Sequence, residues 1–315
     1  MKIIFMGTPE FAVGALEAIV QAGHQVVLAV TQPDKPKGRG KEMQFTPVKE
    51  CALKYDIPVF QPVKIKTPEA VDKLREYEAD IFVVAAFGQL LSEEILNMPK
   101  YGCVNIHASL LPKYRGAAPI QWVILNGEKN TGITIMQMEK GLDSGDILLQ
   151  SIVEIDEKET GDSLHDKLAV EGAKLIVEAL PRIERGEITP VKQNDEESSH
   201  VRMLQKSIGE IDWNKSAVTI ERMVRGLNSW PSAYTHYNGK TLKIWVSEVC
   251  ENETALADAV PGTVTAVDKA AVYVKTGEND LKITEVQLEG KKRMPVKDFL
   301  LGVKMKPGDI LSSGY

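Results

Sequence analysis

The chain has 315 residues, of which 43% are hydrophobic and 26% are charged, and its formal net charge is −6 at pH 7. This composition is typical of a soluble globular protein, and the length favours two domains over one. No apolar run approaches the ~18 residues of a membrane-spanning helix, and the one at the N-terminus is too short for the core of a signal peptide. We therefore expect a cytoplasmic protein.

The three cysteines, Cys51, Cys103 and Cys250, are far apart and form no Cys-x-x-Cys pair. Their odd number argues against a disulfide framework, and their spacing argues against a zinc site. Free cysteines of this kind are typical of proteins in a reducing cytosol.

The chain begins with the pattern of a parallel α/β sheet. Residues 2–6 are an apolar run typical of a buried strand, a turn and an amphipathic helix follow, and residues 24–30 indicate a second strand. Strand, helix and strand in this order predict a Rossmann-like, open and mostly parallel sheet. The turn lacks the Gly-x-Gly-x-x-Gly pattern, so dinucleotide binding is not supported.

A cationic segment, Gln-Pro-Asp-Lys-Pro-Lys-Gly-Arg-Gly-Lys at residues 32–41, follows the second strand. Its interleaved prolines and glycines exclude a helix or a central strand. One interpretation is a solvated loop. The other is a flexible basic arm that binds phosphate, because cations without local acidic partners are free to meet a polyanion. The cations of this loop are Lys35, Lys37, Arg39 and Lys41.

Two later strands end in candidate ligand sites. Residues 80–87 form a continuous apolar run, which predicts a central parallel strand buried on both faces and ending at Gly88-Gln89. Residues 101–107 predict a further strand. Ligands of open α/β sheets bind outside the carboxyl ends of strands, so both ends are candidates.

The second strand end carries Asn105-Ile-His-Ala-Ser-Leu-Leu-Pro112. In a strand, residues i and i+2 point to the same face, so Asn105 and His107 can converge on one substrate atom. The serine, leucines and proline that follow could wall a pocket. The alternative is a polar strand end whose side chains bind neighbouring backbone.

A third polar residue, Asp143, lies in a loop bracketed by Gly141 and Gly145 between two predicted antiparallel strands. Aspartate in such a loop usually caps its own backbone. If the loop folds over the strand end, Asp143 can orient the imidazole of His107, while His107 and Asn105 donate to an oxygen that gains negative charge. This set suits attack of an amine on an acyl carbon, with the amine itself as nucleophile.

Two other chemistries have less support. Ser109 as the nucleophile of a serine hydrolase lacks a Gly-x-Ser-x-Gly elbow. One histidine and one acid are too few ligands for a metal ion, so we expect no metal.

The last third of the chain has a different pattern. Residues 190–206 are polar and aperiodic, which predicts a linker between domains at 1–189 and 207–315. One helix and several short strands follow, including the hairpin signal Asn238-Gly239, and together they predict a small OB-like β-barrel. Basic and acidic residues nearly balance from Lys206 onward, so the acidic excess lies before it.

Two motifs resemble the signature of the 10-formyltetrahydrofolate-dependent formyltransferases. They are Asn105-Ile-His-Ala-Ser-Leu-Leu-Pro112 and Gly132-Ile-Thr-Ile-Met-Gln-Met-Glu-Lys-Gly-Leu-Asp-Ser-Gly-Asp146. The opening Phe5-Met-Gly-Thr-Pro-Glu-Phe-Ala12 and the basic loop narrow the resemblance to the methionyl-tRNA formyltransferase family. It extends over essentially the whole chain.

The resemblance implies formyl transfer from 10-formyltetrahydrofolate to the α-amine of methionyl initiator tRNA, with Asn105, His107 and Asp143 as catalytic residues. It also implies a monomer that binds tRNA through the basic loop and the C-terminal domain. The tRNA contacts would be Lys35, Lys37, Arg39 and Lys41. The folate contacts would be Ser109, Leu110, Leu111 and Pro112, together with Phe87, Gly88, Gln89 and Leu90 at the neighbouring strand end.

Three alternatives remain at this point. A formyltransferase could act on another amine, such as an amino-sugar nucleotide, although the basic loop and the second domain argue against this. A formyl-folate hydrolase would use similar residues with water as nucleophile. A non-catalytic RNA-binding protein would use the α/β domain only as a scaffold.

Overall fold

The computed structural model describes residues 1–37, 42–251 and 258–312. It forms two compact units. The first unit consists of Met1–Pro119, Asn130–Glu154 and His165–Val201, and the second of Ile120–Lys129, Ile155–Leu164 and Arg202–Tyr315.

The strands are β1 (Lys2–Gly7), β2 (Gln25–Val30), β3 (Lys35–Lys37), β4 (Glu42–Gln44), β5 (Val59–Phe60), β6 (Ile81–Ala85), β7 (Cys103–His107), β8 (Arg115–Gly116), β9 (Asn130–Gln137), β10 (Ile147–Glu154), β11 (His200–Val201), β12 (Ala233–Tyr237), β13 (Lys240–Cys250), β14 (Val264–Val267), β15 (Val272–Lys275), β16 (Asp280–Leu288) and β17 (Met294–Pro295). The α-helices are α1 (Val13–Gln21), α2 (Pro47–Lys54), α3 (Pro68–Arg75), α4 (Glu93–Leu96), α5 (Pro119–Leu125), α6 (Gly161–Glu184), α7 (Ala217–Gly226) and α8 (Val296–Gly302). Short 3-10 helices cover Glu10–Ala12, Asp195–Glu197 and Lys206–Gly209.

The first unit contains a mostly parallel sheet in the order β10-β9-β7-β6-β1-β2-β5. The strands from β7 to β5 run parallel to one another, and β9 and β10 add an antiparallel edge. Every residue of β6 is buried, as expected for a central parallel strand covered on both faces. The predicted Rossmann-like sheet is confirmed.

The second unit is an antiparallel sheet in the order β12-β13-β16-β15-β14, with β17 paired to β16. Its two edge regions are bridged by the end of the chain, because Ser312 pairs with His236 of β12 and Ile310 pairs with Thr263 beside β14. Such bridging leaves few unpaired edge groups, as in a small barrel. The predicted C-terminal β domain is thus confirmed.

Several elements lie outside the predicted set. The two-residue strands β8 and β11 pair in parallel, and α8 follows Pro295. The second unit also takes in Ile120–Lys129 and Ile155–Leu164 from earlier in the chain. The domain and linker bounds of 1–189, 190–206 and 207–315 stay a prediction. Within the described residues, no helix is both long and apolar enough to span a membrane.

Candidate functional site

The carboxyl ends of β6 and β7 lie side by side at one edge of the central sheet. Val84 of β6 is in register with Asn105 of β7. On its other side β7 pairs with β9, which places Met136 opposite Asn105 and Thr134 opposite His107. Directly opposed residues of antiparallel strands share a face, so Asn105, His107 and these two partners face the same side.

Asn105 has a free amide. Its side chain is half-buried, and it makes no hydrogen bond to any residue that the structure describes. A buried or half-buried amide normally pairs with protein or water. The amide N–H groups of Asn105 are therefore available to a ligand.

His107 is 6% exposed, and each of its ring nitrogens faces an oxygen atom. Its Nε2 lies 3.0 Å from the carbonyl oxygen of Tyr114, and its Nδ1 lies 3.7 Å from Oδ2 of Asp143. A carbonyl oxygen can only accept, so Nε2 carries the proton of that hydrogen bond. Nδ1 is therefore the nitrogen that faces the carboxylate.

The Asp143 loop returns to the far end of β7. Strand β9 ends with Gln137 beside Val104, yet the loop after it brings Asp143 back to His107. The main-chain N–H of Gly116 donates to Oδ2 of Asp143 at 2.8 Å, and Asp143 adopts φ +50°. The left-handed region is tolerated better by aspartate than by most residues. The structure thus brings the three predicted catalytic side chains to one face of the sheet.

A cleft of about 290 Å³ lies next to this group in the first unit. Its walls come from the loop after β6 and from the Asp143 loop, and Met136 lies between them. Because Met136 and Asn105 share a face, the free amide and the cleft lie on the same side of the sheet. Leu90, Leu91, Met138 and Leu142 are among its apolar side chains, and its charged side chains include Lys66, Lys140, Glu93 and Glu139.

The predicted folate contacts after β6 occupy different environments. Leu90 is 66% exposed and lines the cleft. Gln89 also lines it, but its amide is bound to Pro62 and Ile65 through 3.1 and 2.8 Å hydrogen bonds. Phe87 is buried, and its carbonyl accepts from Thr8, while Gly88 adopts φ +83°.

The second predicted folate segment, residues 109–112, is stabilised by a hydrogen bond from its own Ser109. Ser109 is fully buried, and its hydroxyl donates to the carbonyl of Lys113 at 2.7 Å. Leu111 is buried as well, whereas Leu110 and Pro112 are half-buried. Ser109 therefore shapes the turn. Folate contact by these residues stays a prediction.

The basic loop is only partly described. Lys35 is exposed at the start of a β3–β4 hairpin, whereas the side chain of Lys37 and the residues Arg39 and Lys41 lie outside the described residues. Asp34 anchors the base of the hairpin, where it pairs with Lys49 and accepts from Gln61 at 2.8 Å. Burial acts to raise the pKa of Asp34, but the hydrogen bonds from Lys49 and Gln61 outweigh it and hold that pKa below its usual value.

The sequence analysis missed the residues that support the site. Thr134, fully buried opposite His107, donates to Ser109 and accepts from the main-chain N–H of Leu111. Arg115 and Gln193 are also buried and bond to each other at 3.0 Å. Gln193 lies in a polar, aperiodic segment, so no sequence pattern could have identified it.

Within the described residues, no group of three or more histidine, cysteine and acidic side chains could hold a metal ion. The polar groups of the site, an amide, an imidazole and one carboxylate, suit hydrogen bonding to an organic substrate. The amide and the imidazole are donors of the kind that stabilise an oxyanion, and the carboxylate can orient the imidazole.

Comparison with known proteins agrees with this chemistry. A family model described as formyl transferase matches residues 1–180, and one described as formyl transferase, C-terminal domain, matches residues 203–304. A methionyl-tRNA formyltransferase of Agathobacter rectalis is 55% identical over 99% of this chain and 100% of its own length. The chain belongs to the methionyl-tRNA formyltransferase family. As a member of that family, it is a formyl-transferring enzyme.

Two solved structures share the fold of this formyltransferase at low identity. The sugar 3N-formyl transferase WlaRD, solved with dTDP and 5-N-formyl-THF, matches with a TM-score of 0.66 and 22% identity over 93% of this chain and 99% of its own. HypX from Aquifex aeolicus, in complex with tetrahydrofolic acid, matches with a TM-score of 0.62 and 19% identity over 95% of this chain and 47% of its own. At such identities, the likeness concerns the fold alone.

Proposed function

We propose that this enzyme transfers the formyl group of 10-formyltetrahydrofolate to the free α-amine of methionyl initiator tRNA, giving N-formylmethionyl-tRNA for translation initiation. The observation that carries the proposal is the 55% identity to a methionyl-tRNA formyltransferase over both full lengths. The match to a C-terminal formyltransferase model at residues 203–304 adds support, because it gives the second unit a place in the same family.

In the proposed reaction, the amine nitrogen forms a bond to the formyl carbon while the bond from that carbon to N10 of the folate breaks. The amine loses a proton, and N10 of the leaving tetrahydrofolate gains one. The formyl oxygen carries negative charge in between, so donors placed around it lower the barrier. The amine is already a nucleophile when unprotonated, with a pKa near ~7.7–8.0 for an α-amino group.

Each of the three site residues has a role in this proposal. Asn105 donates its free amide N–H to the formyl oxygen. His107 exchanges the hydrogen bond that its Nε2–H donates to the carbonyl of Tyr114 for one donated to the same formyl oxygen. Asp143 keeps the imidazole in orientation from 3.7 Å away and helps to relay the proton.

The cleft beside Asn105 suits the ring system of the formyl donor. Its walls combine apolar side chains with polar and charged ones, which could contact both the ring and the polar groups of a small molecule. Leu90 is the residue of the loop after β6 whose side chain is both exposed and in the wall. We place the donor there, with its N10 group towards Asn105.

The decisive measurement is formyl transfer by the purified chain. Radiolabelled 10-formyltetrahydrofolate is mixed with methionyl initiator tRNA, with an amino-sugar nucleotide, or with no acceptor. The proposal expects formylmethionyl-tRNA alone. Transfer to the sugar amine would favour the rival acceptor, loss of formyl without acceptor would favour a hydrolase, and folded protein with no turnover would favour a binding protein.

The basic loop is the proposed contact to the acceptor end of the tRNA. Arg39→Ala is expected to weaken tRNA binding and to reduce the slope of log affinity against log salt, because each phosphate contact releases counterions. Lys54→Ala, a cation of α2 outside the loop, is the control and should leave the slope unchanged. An unchanged slope for Arg39→Ala would contradict a phosphate-binding loop.

A further inference from the structure

Gln193 joins two segments that surround the candidate catalytic residues. It is 6% exposed. Its Nε2 donates to the main-chain carbonyls of Asp143 at 2.8 Å and Gly145 at 2.7 Å, and its Oε1 accepts from Nε of Arg115 at 3.0 Å. Both amide protons and one lone pair are thus engaged, which fixes the amide plane.

Arg115 extends this contact towards the site. Its guanidinium is buried and donates to Asp195 at 2.9 Å. Arg115 also stands between Tyr114, whose carbonyl holds Nε2 of His107, and Gly116, whose N–H holds the carboxylate of Asp143. Gln193 therefore links the main chain of the Asp143 loop to the side chain of Arg115, which stands between the two backbone groups that fix His107 and Asp143.

Residues 191–201 are hydrogen-bonded to the rest of the first unit at both ends of the segment. Val191 and Ile147 exchange main-chain hydrogen bonds of 2.8 and 2.9 Å at the start of the segment. At its end, Ser199 accepts from the N–H of Tyr114 through its hydroxyl, and β11 pairs with β8. The main chain that carries Gln193 is therefore held in place on both sides of this residue.

We infer that Gln193 is a positioning residue for the transfer reaction, which sets the Asp143 carboxylate against His107 by holding the Asp143 loop to Arg115. The inference rests on the proposed function, since it assigns Gln193 a role through Asp143. Gln193 does not line the cleft, so its effect is on the geometry of the catalytic residues and not on substrate contact. Displacements of about 1 Å in such groups can cost about 10²-fold in rate.

The test is a double-mutant cycle on single-turnover formyl transfer, with the formyl folate saturating and the enzyme in excess over methionyl-tRNA and well above its Kd. Gln193→Ala is expected to lower the transfer rate about 10- to 100-fold in the wild-type background and by less than twofold in the Asp143→Ala background. When one residue acts through another, the effects of the two substitutions on the rate are not additive. A general loss of structure instead lowers the transfer rate by the same factor in both backgrounds.

Two further variants keep the test decisive if Gln193→Ala folds poorly. Gln193→Glu keeps the length and the acceptor for Arg115 but loses both donors to the Asp143 loop, and should show the same loss. Gln137→Ala is the matched control, because this half-buried glutamine donates to the carbonyl of Cys103 at 3.1 Å and has no contact with Asp143 through its side chain. The transfer rate of Gln137→Ala should stay within twofold of the wild-type rate.

The outcomes separate the two proposals. Wild-type protein without formyl transfer overturns the proposed function, and this inference falls with it. Active wild type with both Gln193 variants within twofold overturns the inference alone, as does an equal loss in the two Asp143 backgrounds. A loss confined to the background that contains Asp143 supports it.

Discussion

The imidazole of His107 faces the carboxylate of Asp143 across 3.7 Å, although 36 residues of chain separate them. The distance is longer than a hydrogen bond of the usual 2.7–3.2 Å range. Catalytic hydrogen bonds are often long in the absence of substrate and shorten in the reactive complex. If the two residues act as proposed, we expect this distance to shorten when the substrates bind.

His107→Ala is expected to lower kcat by about 10²–10³, because it removes one donor to the developing oxyanion. The affinity for the formyl folate should change little, since His107 is buried and does not line the cleft. Steady-state kinetics with a fluorescence titration of folate would separate the two quantities. A loss of only twofold in kcat would contradict the assigned role.

Asn105→Ala should lower kcat by a similar factor of about 10² without lowering stability. The side chain makes no hydrogen bond to the described residues, so its removal leaves no protein group unpaired. Thermal unfolding of the variant should match wild type within a few degrees. A large loss of stability would indicate that Asn105 is a structural polar residue.

Thr134→Val is expected to destabilise the protein by about 2–3 kcal/mol, because Ser109, Leu111 and Gln150 each lose a buried hydrogen-bond partner. Thr131→Val on the same strand is the matched control. The hydroxyl of Thr131 is buried and has no hydrogen-bond partner among the described residues, so its removal should be neutral or stabilising. Urea denaturation of both variants measures the difference, and equal effects would argue against the Thr134 contacts.

Two of the three thiols should resist alkylation in the folded protein. Burial raises the pKa of Cys103 to about 12, and burial together with the charge of Glu17 raises that of Cys51 to about 11. Thiols react as thiolates, so iodoacetamide at pH 8 should label half-exposed Cys250 first. Mass spectrometry of native and urea-treated samples tests this order. Labelling of Cys103 as fast as Cys250 in native protein would contradict the burial.

Asp34 should make stability depend on acid pH. Its pKa lies below the usual 3.8, so its ion pair with Lys49 stabilises the fold fully above about pH 5, and that contribution is lost as the pH falls through the lowered value. The difference in unfolding free energy between wild type and Asp34→Asn should therefore shrink between pH 5 and pH 3. Asp72→Asn, whose carboxylate is 72% exposed, is the control. A difference constant with pH would contradict the shift.

Local pattern predicted much of the fold and one half of the candidate site. The apolar runs at β1 and β6 are long enough and buried enough to be recognised as central strands. The i, i+2 spacing of Asn105 and His107 was sufficient to place them on one face, because strand geometry alone determines it.

The remaining half depends on contacts that no local pattern encodes. The return of Asp143 is fixed by the N–H of Gly116 and by Gln193, which lie 27 and 50 residues away. Strands β8 and β11 have two residues each, too few for periodicity to reveal. The hydrogen bond from the buried hydroxyl of Ser109 to the backbone of Lys113 is another contact that the sequence did not indicate, and folate contact by Ser109 stays a prediction.

The pairing of β8 with β11 has a consequence for how the enzyme matures on the ribosome. Asn105, His107 and Asp143 are synthesised well before Gln193 and β11, which hold the backbone around them. A nascent chain that reaches only residue 180, where the match to the first family model ends, carries all three side chains but lacks this support. If these residues act as proposed, we expect formylation competence only after residue 201 has emerged, and we expect a fragment ending at residue 180 to show no formyl transfer.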